Sequence, residues 1–488
     1  MQRYIMIRKT IFILLLLIAG FAGEVYSQAV AKIGDTEYAT LAAAYSAAHD
    51  GETIKMLADV EVGAMIEIKN NKFFTLDLNG KRITSNTGDA SKTLFLIGTG
   101  GNVTITDNSV EHDGVITCPS GGGNLILLAL QGAGKLIING GNLISPNEMS
   151  SGFCAIRVTD SGELIVNGGT LSTKKAHNTA VGVIDNSGTT VINGGKIVNT
   201  AGTNDYTSRG MTNRGSLTVN GGEIVSSESA IFNMSSKKYC ALGSAAKITG
   251  SINNVALDEY IISDGSDLNT NVSVTANTIT YDRGSSNAFG TVCLPFVPDT
   301  KASITYYTLK EATDNTLTLE QVNEFVANTP YVYYTEDGTY NVSKTTTTTL
   351  TANPVAGTVS NANGWSLNGV YKRTSVFTSS SDADYDDTDD SHVLAPNSYY
   401  VKDNGFSRTN GYAVIKPFRA YITAPDATSS NHYEISVIDE ATSMKSLLDG
   451  GQTISAIYDT NGVRLKGLQR GINIVVLGNG KRGKIIVK

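Results

Sequence analysis

The feature that most constrains the fold is a ten-residue segment that recurs about every 27 residues. Each copy runs from a glycine to an aliphatic residue around Asn-Gly-Gly, and the clearest copies are Gly134–Leu143, Gly162–Leu171, Gly188–Ile197 and Gly215–Ile224. Their asparagines are separated by 28, 26 and 27 residues. Apolar residues alternate with other residues before each asparagine, which predicts a β-strand. Asparagine tolerates the left-handed backbone conformation and glycine adopts it freely, so Asn-Gly-Gly predicts a corner.

Asn-Gly is also typical of a β-hairpin turn, so a series of hairpins is the alternative. Hairpins would not place the same residues at the same position of a 27-residue period in four successive copies. A coiling chain does, because each turn lays its strand parallel to the previous one, about 4.8 Å away. We therefore predict a right-handed parallel β-helix of about seven to eight coils. The residues predicted to stack are Leu136, Leu164, Thr190 and Leu217 in one inward column, Ile138, Val166, Ile192 and Val219 in the next, and Asn139, Asn167, Asn193 and Asn220 in a structural ladder.

The open end of such a solenoid needs a cap, because unpaired strand edges bind other chains. Thr40–Gly51 predicts a short helix, with Thr40 as its N-cap and Gly51 at its end. The segments Ile33–Val60 and Leu76–Ile83 resemble the N-terminal cap and first coils of pectate-lyase-like β-helices in secreted bacterial proteins. This resemblance covers residues 30–250 and implies the fold, with little about activity.

The chain after the repeat changes character, with short strands at spacings typical of a β-sandwich and many tyrosines. The segments Gly290–Phe296, Asn363–Tyr371 and Lys416–Ile422 resemble a β-domain that recurs in surface proteins of Bacteroidota. Trp365, the one tryptophan of the chain, is interpreted as a core residue, and a sugar-stacking platform is the alternative.

The N-terminus predicts secretion. Three basic residues precede the apolar run Ile11–Ala22, which is too short to span a membrane, so residues 1–27 are interpreted as a signal peptide. An uncleaved anchor is the alternative. No second long apolar run follows, so we expect no transmembrane segment in the mature protein.

The C-terminus predicts a small antiparallel sheet, with turns at Asp459–Gly462 and Gly478–Gly480. The segments Ile457–Leu465 and Lys481–Lys488 resemble the type A sorting domain of type IX secretion, which implies contact with that secretion machinery. An ordinary stabilising domain is the alternative. The predicted all-β chain thus has five parts, namely a signal peptide (1–27), a capping segment with a short helix (28–52), the β-helix (53–275), a β-sandwich-like domain (276–442) and a sorting-like β-domain (443–488).

Charge and cysteine content exclude some functions. The net charge of the 488 residues is −7, and residues 460–488 hold seven basic and no acidic residues, so the body of the chain is more acidic still. Nucleic-acid binding needs clustered cations and is not expected. The four cysteines have mostly apolar neighbours, which predicts free, buried thiols rather than one of the three possible disulfide pairings.

Catalytic motifs are not evident in the sequence. Asn-Thr-Asp, Gly-His-Gly and Arg-Ile-Lys, which polygalacturonase-like β-helix enzymes would carry, do not occur. Asp107, Asp160 and Asp185 fall near predicted turns, where aspartate usually accepts hydrogen bonds from local backbone. Stacking of Asp160 and Asp185, which lie in adjacent coils, is the alternative. No catalytic residue and no cofactor are assigned.

Two groups of residues are candidates for binding. Lys174 and His177 lie in one predicted loop, Tyr206 and Arg209 lie in the next, and together they are interpreted as a ligand patch, with solvated loops as the alternative. The acidic run containing Asp382, Asp384 and Asp386 begins like a Ca²⁺-binding loop, but Asp387 replaces the required glycine. A mobile acidic loop is the favoured interpretation of this run, and a Ca²⁺ site is the alternative.

The combined pattern favours a secreted or outer-surface, non-catalytic protein that mediates adhesion or glycan contact through a β-helix rod. An extracellular glycan or a host or matrix surface is the expected partner. A polysaccharide lyase or glycoside hydrolase with an atypical site is the alternative, so enzymatic activity stays open.

Overall fold

The chain is nearly all β. The computed structural model describes residues 28–85, 93–118, 126–145, 154–159, 161–173, 182–199, 208–269, 271–285, 287–313, 315–402, 404–425, 430–438, 454–467, 469, 471–478, 480 and 482–487. Within these residues, two 14-stranded sheets build a solenoid, and sheets of ten, three and four strands follow it. The predicted fold class, a parallel β-helix with further β-domains, is confirmed.

The first face of the solenoid is a stack of ten parallel strands. They are Thr53–Met56, Phe73–Asp77, Asn102–Thr106, Lys135–Ile138, Glu163–Val166, Thr189–Ile192, Ser216–Val219, Tyr239–Gly243, Leu257–Ser263 and Val274–Ser285. Ten levels exceed the seven to eight coils that the sequence predicted. The last two strands were missed because their turns are shorter and lack Asn-Gly-Gly.

The other sheet supplies the second and third faces. The second face contains Val60–Val62, Arg82–Ser85, Val115–Thr117, Asn142–Ser145, Thr170–Thr173 and Lys196–Asn199, and the third contains Ile66–Ile68, Phe95–Ile97, Leu128–Leu130, Ile156–Val158, Ile184–Asn186 and Arg209–Asn213. Two longer strands, Glu223–Asn233 and Lys247–Asn253, run through both faces and join them.

The strand register confirms both predicted inward columns. Leu136, Leu164, Thr190 and Leu217 are partners level by level, as are Ile138, Val166, Ile192 and Val219, and each of these side chains is fully buried. Burial of one aliphatic side chain is worth about 1.5–3 kcal/mol, so these columns contribute a large part of the rod's stability.

The corner after the first face depends on the second glycine of each Asn-Gly-Gly. Gly141, Gly169, Gly195 and Gly222 all have a positive φ between 77° and 84°. A Cβ atom on Gly169 would lie 2.4 Å from the carbonyl oxygen of Gly141 in the coil below. The repeat therefore keeps glycine here because of both the backbone angle and the close contact between coils.

The N-terminal cap contains the predicted helix and a hairpin. The helix is Leu41–Ala47, and the side chain of Thr40 accepts a 3.1 Å hydrogen bond from the Ala43 amide, as an N-cap does. The helix ends before Gly51. Strands Ala31–Ile33 and Thr36–Tyr38 pair antiparallel with each other, and Ala31–Ile33 also pairs with the first rod strand.

The last rod strand carries the chain into the second region. Val274–Ser285 crosses the predicted boundary at residue 275, and beyond its parallel partner it pairs antiparallel with Thr339–Lys344 and Thr348–Leu350. The hydrophobic core is continuous across this junction, because Tyr281 and Tyr340 belong to the same buried cluster as the rod interior.

A ten-stranded sheet forms the body of the second region. In spatial order its strands are Phe289–Cys293, Pro330–Thr335, Ile304–Thr313, Thr316–Val322, His432–Ile438, Gly405–Arg408, Ser398–Lys402, Arg419–Thr423, Ser366–Val370 and Thr358–Ser360. The sheet curls until its first strand meets Arg419–Thr423, since the Thr291 hydroxyl donates to the Ala420 carbonyl at 2.8 Å. One curled sheet thus encloses the core of the predicted sandwich.

Trp365 lies inside this core and is 5% exposed. Its ring centroid is 5.8 Å from that of Tyr399 and 5.1 Å from that of Tyr433. The core interpretation of Trp365 is confirmed and the sugar-platform alternative is wrong, because the ring does not face solvent.

Two small sheets complete the described structure. His392–Leu394, Thr374–Phe377 and Tyr412–Ile415 form the three-stranded sheet, and Arg464–Leu465, Ile454–Tyr458, Gly471–Leu477 and Arg482–Val487 form the four-stranded C-terminal sheet. The predicted turn at Asp459–Gly462 is present, with a positive φ at Gly462, and Gly480 also has a positive φ. Asn479 of the other predicted turn lies outside the described residues. In the described part of the chain, no helix has the length and apolar character needed to cross a bilayer.

Candidate functional site

The predicted asparagine ladder runs along the outside of the rod. The Asn167 side-chain amide donates to Asn139 Oδ1, Asn193 donates to Asn167, and Asn220 donates to Asn193, each at 2.8 Å. All four side chains are exposed. The ladder is a structural device that ties successive coils together, and it leaves no side-chain chemistry for a ligand beyond amide groups.

A second, buried asparagine ladder lies at the end of the third face and was not predicted from the sequence. Asn186 Nδ2 donates to Asn213 Oδ1 at 3.0 Å, and Asn213 Nδ2 donates to Asn233 Oδ1 at 3.1 Å. All three side chains are fully buried. Asn186 and Asn213 each stand two residues before a repeat glycine, Gly188 or Gly215, so extending the repeat alignment by two residues would have revealed them.

The predicted ligand patch is described only in part. Lys174, His177 and Tyr206 lie outside the described residues, and so does Asp160. Arg209 begins a third-face strand, Arg209–Asn213. The structure therefore shows the surroundings of Arg209 and does not test whether the four predicted ligand residues meet.

Arg209 belongs to a charged group on the outer side of the third face. Parallel pairing stacks Arg157, Asp185, Thr212 and Phe232 in one outward column. The Asp185 carboxylate pairs with Arg157, whose Nε lies 3.4 Å from Oδ2, and with the Nη1 of Arg214. We call Arg157, Asp185, Arg209, Arg214 and Phe232 the third-face cluster.

Arg209 completes the third-face cluster by stacking. Its guanidinium carbon lies 3.5 Å from the centroid of the Phe232 ring, a close cation–π contact. Burial and the nearby charge of Arg214 lower the pKa of Arg209. Its buried Nη1 atom has no hydrogen-bond partner in the described structure. Two guanidinium groups thus share one carboxylate and a third stacks on a neighbouring ring, which gives this side of an acidic protein a local positive charge.

Asp185 does not behave as the sequence suggested. It lies inside strand Ile184–Asn186 and binds arginines, whereas the sequence predicted a turn aspartate bonded to local backbone. The reason is the register, which places Asp185 directly above Arg157. The pairing could have been found from the 28-residue distance between them, the same as that between Asn139 and Asn167.

Asp107 does bond to local backbone, as expected. It is buried, its Oδ2 accepts a 2.6 Å hydrogen bond from the Gly114 amide, and its Oδ1 accepts from Gly80 at 2.8 Å and Ser109 at 3.2 Å. Burial alone would raise the pKa of Asp107, but these hydrogen bonds outweigh it and lower that pKa. The carboxylate is fully engaged and is poorly placed to act as an acid or base.

The acidic run folds into successive local turns. Asp382 Oδ1 accepts from the Asp384 amide at 3.1 Å, and Asp386 Oδ1 accepts from the Thr388 amide at 2.9 Å and hydroxyl at 2.7 Å. These hydrogen bonds lower the pKa of Asp386. Across the described residues, no three His, Cys, Asp or Glu side chains group as a metal site would require. The Ca²⁺ alternative has no supporting geometry here.

Comparisons with known proteins name no relative. No family model, no curated protein and no solved structure matches the chain. The case for any function therefore depends on the chemistry of the residues themselves, and the third-face cluster is the strongest such group on the rod.

Proposed function

We propose that this chain is a secreted or outer-surface, non-catalytic protein whose β-helix contacts acidic glycans. The observation that carries the proposal is the third-face cluster, in which two arginines pair with one aspartate and a third arginine stacks on a phenylalanine, on one side of an acidic rod. Guanidinium groups bind carboxylates and sulfates through paired, charge-assisted hydrogen bonds. Polymers bearing such groups on an extracellular or matrix surface are the partner class.

The rod geometry supports a repeating ligand. Adjacent coils are about 4.8 Å apart, and Arg157 lies two coils away from Arg209 and Arg214, which share one coil. A linear polymer lying along the rod could therefore meet more than one arginine. Individual contacts of this kind are weak at the surface and fall with salt, so avidity along the chain is the expected source of affinity.

Binding to acidic oligosaccharides tests the proposal. We expect oligogalacturonate to bind with a Kd of about 1 mM and to weaken at high salt, while a neutral oligosaccharide of equal length does not bind. Arg157→Gln should reduce affinity about threefold to tenfold, since Arg214 still neutralises Asp185. Lys247→Gln, which removes an exposed charge from another face, is the matched control.

Two results would overturn the proposal. Equal binding by wild type and Arg157→Gln would remove the third-face cluster from the interaction. Release of new reducing ends during incubation would favour the lyase or hydrolase alternative instead.

Secretion is part of the same proposal and rests on the sequence. The basic and apolar N-terminus and the sorting-like tail support export, and the four-stranded C-terminal sheet is compatible with a self-contained tail. Deleting residues 445–488 should abolish surface delivery in the native host without lowering the melting temperature of the remaining chain. Normal surface display of the truncated protein would refute the sorting role.

A further inference from the structure

A cleft of about 230 Å³ opens where the last rod strand meets the ten-stranded sheet. Three cationic side chains line it, namely Arg283 from the rod strand and Lys416 and Arg419 from the second region. The rest of its lining is mostly apolar, with Asn287 and Thr291 as polar members beside Phe289, Tyr400, Val401, Val414, Ile415 and Ala420. The cleft is separate from the third-face cluster and was not anticipated from the sequence.

Arg419 has its own counter-ion. Its Nη1 lies 2.7 Å from Asp264 Oδ1, its Nη2 donates to Asp264 Oδ2 at 3.0 Å, and Nη1 also donates to the Tyr281 hydroxyl at 2.6 Å. The Tyr281 hydroxyl donates in turn to Asp264 Oδ1 at 2.7 Å. This buried network neutralises Arg419, so it holds the junction together and does not require a ligand.

Arg283 lacks such a partner. Its Nη1 donates to the Thr291 carbonyl at 3.0 Å, and its guanidinium lies 5.4 Å from the Tyr333 ring centroid. Within the described residues no carboxylate forms an ion pair with Arg283 or with the exposed Lys416. Burial and the neighbouring charge of Arg419 lower the pKa of Arg283. The Asp264 carboxylate, which is already paired with Arg419, opposes this pKa shift only in part. A partly buried guanidinium without an ion pair of its own favours an anion beside it.

The lining of the cleft also limits the chemistry and the size of the group that carries the negative charge. A sugar ring needs hydrogen-bond partners for its hydroxyls, yet Thr291 Oγ1 already donates to the Ala420 carbonyl and accepts from the Ala420 amide. Aromatic and aliphatic side chains make up most of the remaining surface. The cleft is smaller than the roughly 300–1,000 Å³ of sites for drug-sized molecules, so it suits a compact ligand.

We propose that this junction cleft binds a small carboxylate with an apolar body, its carboxylate between Arg283 and Lys416 and its body against Phe289, Tyr400 and Val414. Four probes separate the two halves of this proposal. Phenylpropionate has both the charge and the apolar body, phenylpropionamide lacks the charge, acetate lacks the body, and glucuronate replaces the body with hydroxylated carbons.

Titration of the full chain, followed by calorimetry or ligand-observed NMR, gives the test. We expect phenylpropionate to bind with a Kd of about 1 mM or below, and each other probe to bind at least about tenfold more weakly. Failure of phenylpropionate to bind, or equal binding by its amide or by acetate, would overturn the proposal. Tighter binding of glucuronate would overturn the apolar-body assignment.

Variants connect the binding to the cleft. Lys416→Gln changes an exposed side chain and should weaken phenylpropionate about threefold to tenfold without changing the melting temperature. Arg283→Gln should weaken it further. Lys247→Gln on the rod is the control and should bind like wild type. Unchanged affinity in the folded Lys416→Gln protein would place the ligand elsewhere. Oligogalacturonate binding by the same variants should be unaffected, which separates this site from the proposed glycan contact.

Discussion

The two asparagine ladders use the same side chain at the same kind of spacing in opposite surroundings. Asn139, Asn167, Asn193 and Asn220 are exposed, whereas Asn186, Asn213 and Asn233 are fully buried. Buried amides also bond to backbone, since Asn213 Nδ2 donates to the Tyr239 carbonyl at 3.1 Å as well as to Asn233. In the exposed ladder, water can replace any lost partner.

Because of this difference, losing a hydrogen bond should lower the free energy of unfolding more in the buried ladder than in the exposed one. A hydrogen bond contributes about 0.5–1.5 kcal/mol net, but leaving a buried group unsatisfied costs about 1–3 kcal/mol. The buried ladder is therefore sensitive to any change in donor count, and the exposed ladder tolerates one. The buried ladder also begins abruptly, since its column contains Leu130 and Val158 in the preceding coils and asparagine from residue 186 onward.

The largest effect is expected from a charge in the buried ladder. Asn213→Asp keeps the shape but turns the donor toward Asn233 Oδ1 and the Tyr239 carbonyl into an acceptor. We expect the free energy of unfolding to fall by about 3–5 kcal/mol, because a buried charge then faces two acceptors. Urea denaturation followed by circular dichroism measures the loss.

The matched control for this change is Asn193→Asp in the exposed ladder, where we expect a loss of about 1 kcal/mol or less. If the two variants unfold at the same urea concentration, burial does not distinguish the ladders and the comparison fails.

We expect an intermediate, pH-dependent effect on the free energy of unfolding at Asp107. This residue links neighbouring coils through a carboxylate, whereas the ladders link them through neutral amides. Its pKa is lower in the folded protein than in the unfolded chain. Its contribution is therefore present above the unfolded pKa of about 3.9 and is lost as the pH falls through the folded pKa. Asp107→Asn should reduce stability by about 2 kcal/mol at neutral pH, and the gap to wild type should narrow in acid.

Urea denaturation at several pH values checks this sign. Asp35→Asn, at an exposed turn of the N-terminal hairpin, is the control and should show no such trend. A gap that stays constant or widens on acidification would contradict the role of the Asp107 hydrogen bonds.

The smallest effect is the coupling between neighbours within the exposed ladder. A double-mutant cycle on Asn167→Ala and Asn193→Ala should give an interaction energy of about 0.5 kcal/mol, because water compensates for the broken bond. The same cycle on Asn186 and Asn213 should give a clearly larger value. Equal coupling energies in the two ladders would show that the buried ladder gains nothing from its surroundings.

Much of the rod could be predicted because each coil corresponds to one copy of a sequence repeat. The inward columns through Leu164 and Val166 and the exposed ladder followed from a single alignment of the repeat. The cap followed from Thr40 and the alanines after it. The columns and the ladder follow from the repeat, because equivalent residues of neighbouring coils lie next to each other. The cap follows from a local sequence pattern.

The binding groups were less predictable because they depend on register between unlike residues. Arg157 and Asp185 meet because two strands align at one level, and the 28-residue distance between them is the one sequence signal for the pair. Arg283 and Lys416 are 133 residues apart in the sequence and line one cleft at a junction of two different architectures. Repeats predict columns, whereas such long-range meetings require the coordinates.

The buried cysteines can report local unfolding of the chain. Cys118, Cys154, Cys240 and Cys293 are free and buried, and burial raises the thiol pKa to about 12 for the first three and to about 11 for Cys293. Only the thiolate reacts with alkylating reagents, so each cysteine stays unreactive until the structure around it unfolds locally. These positions lie at three separate levels of the solenoid and, for Cys293, in the sheet that follows it. The order in which they become alkylated under native conditions would therefore reveal from which end the rod unravels.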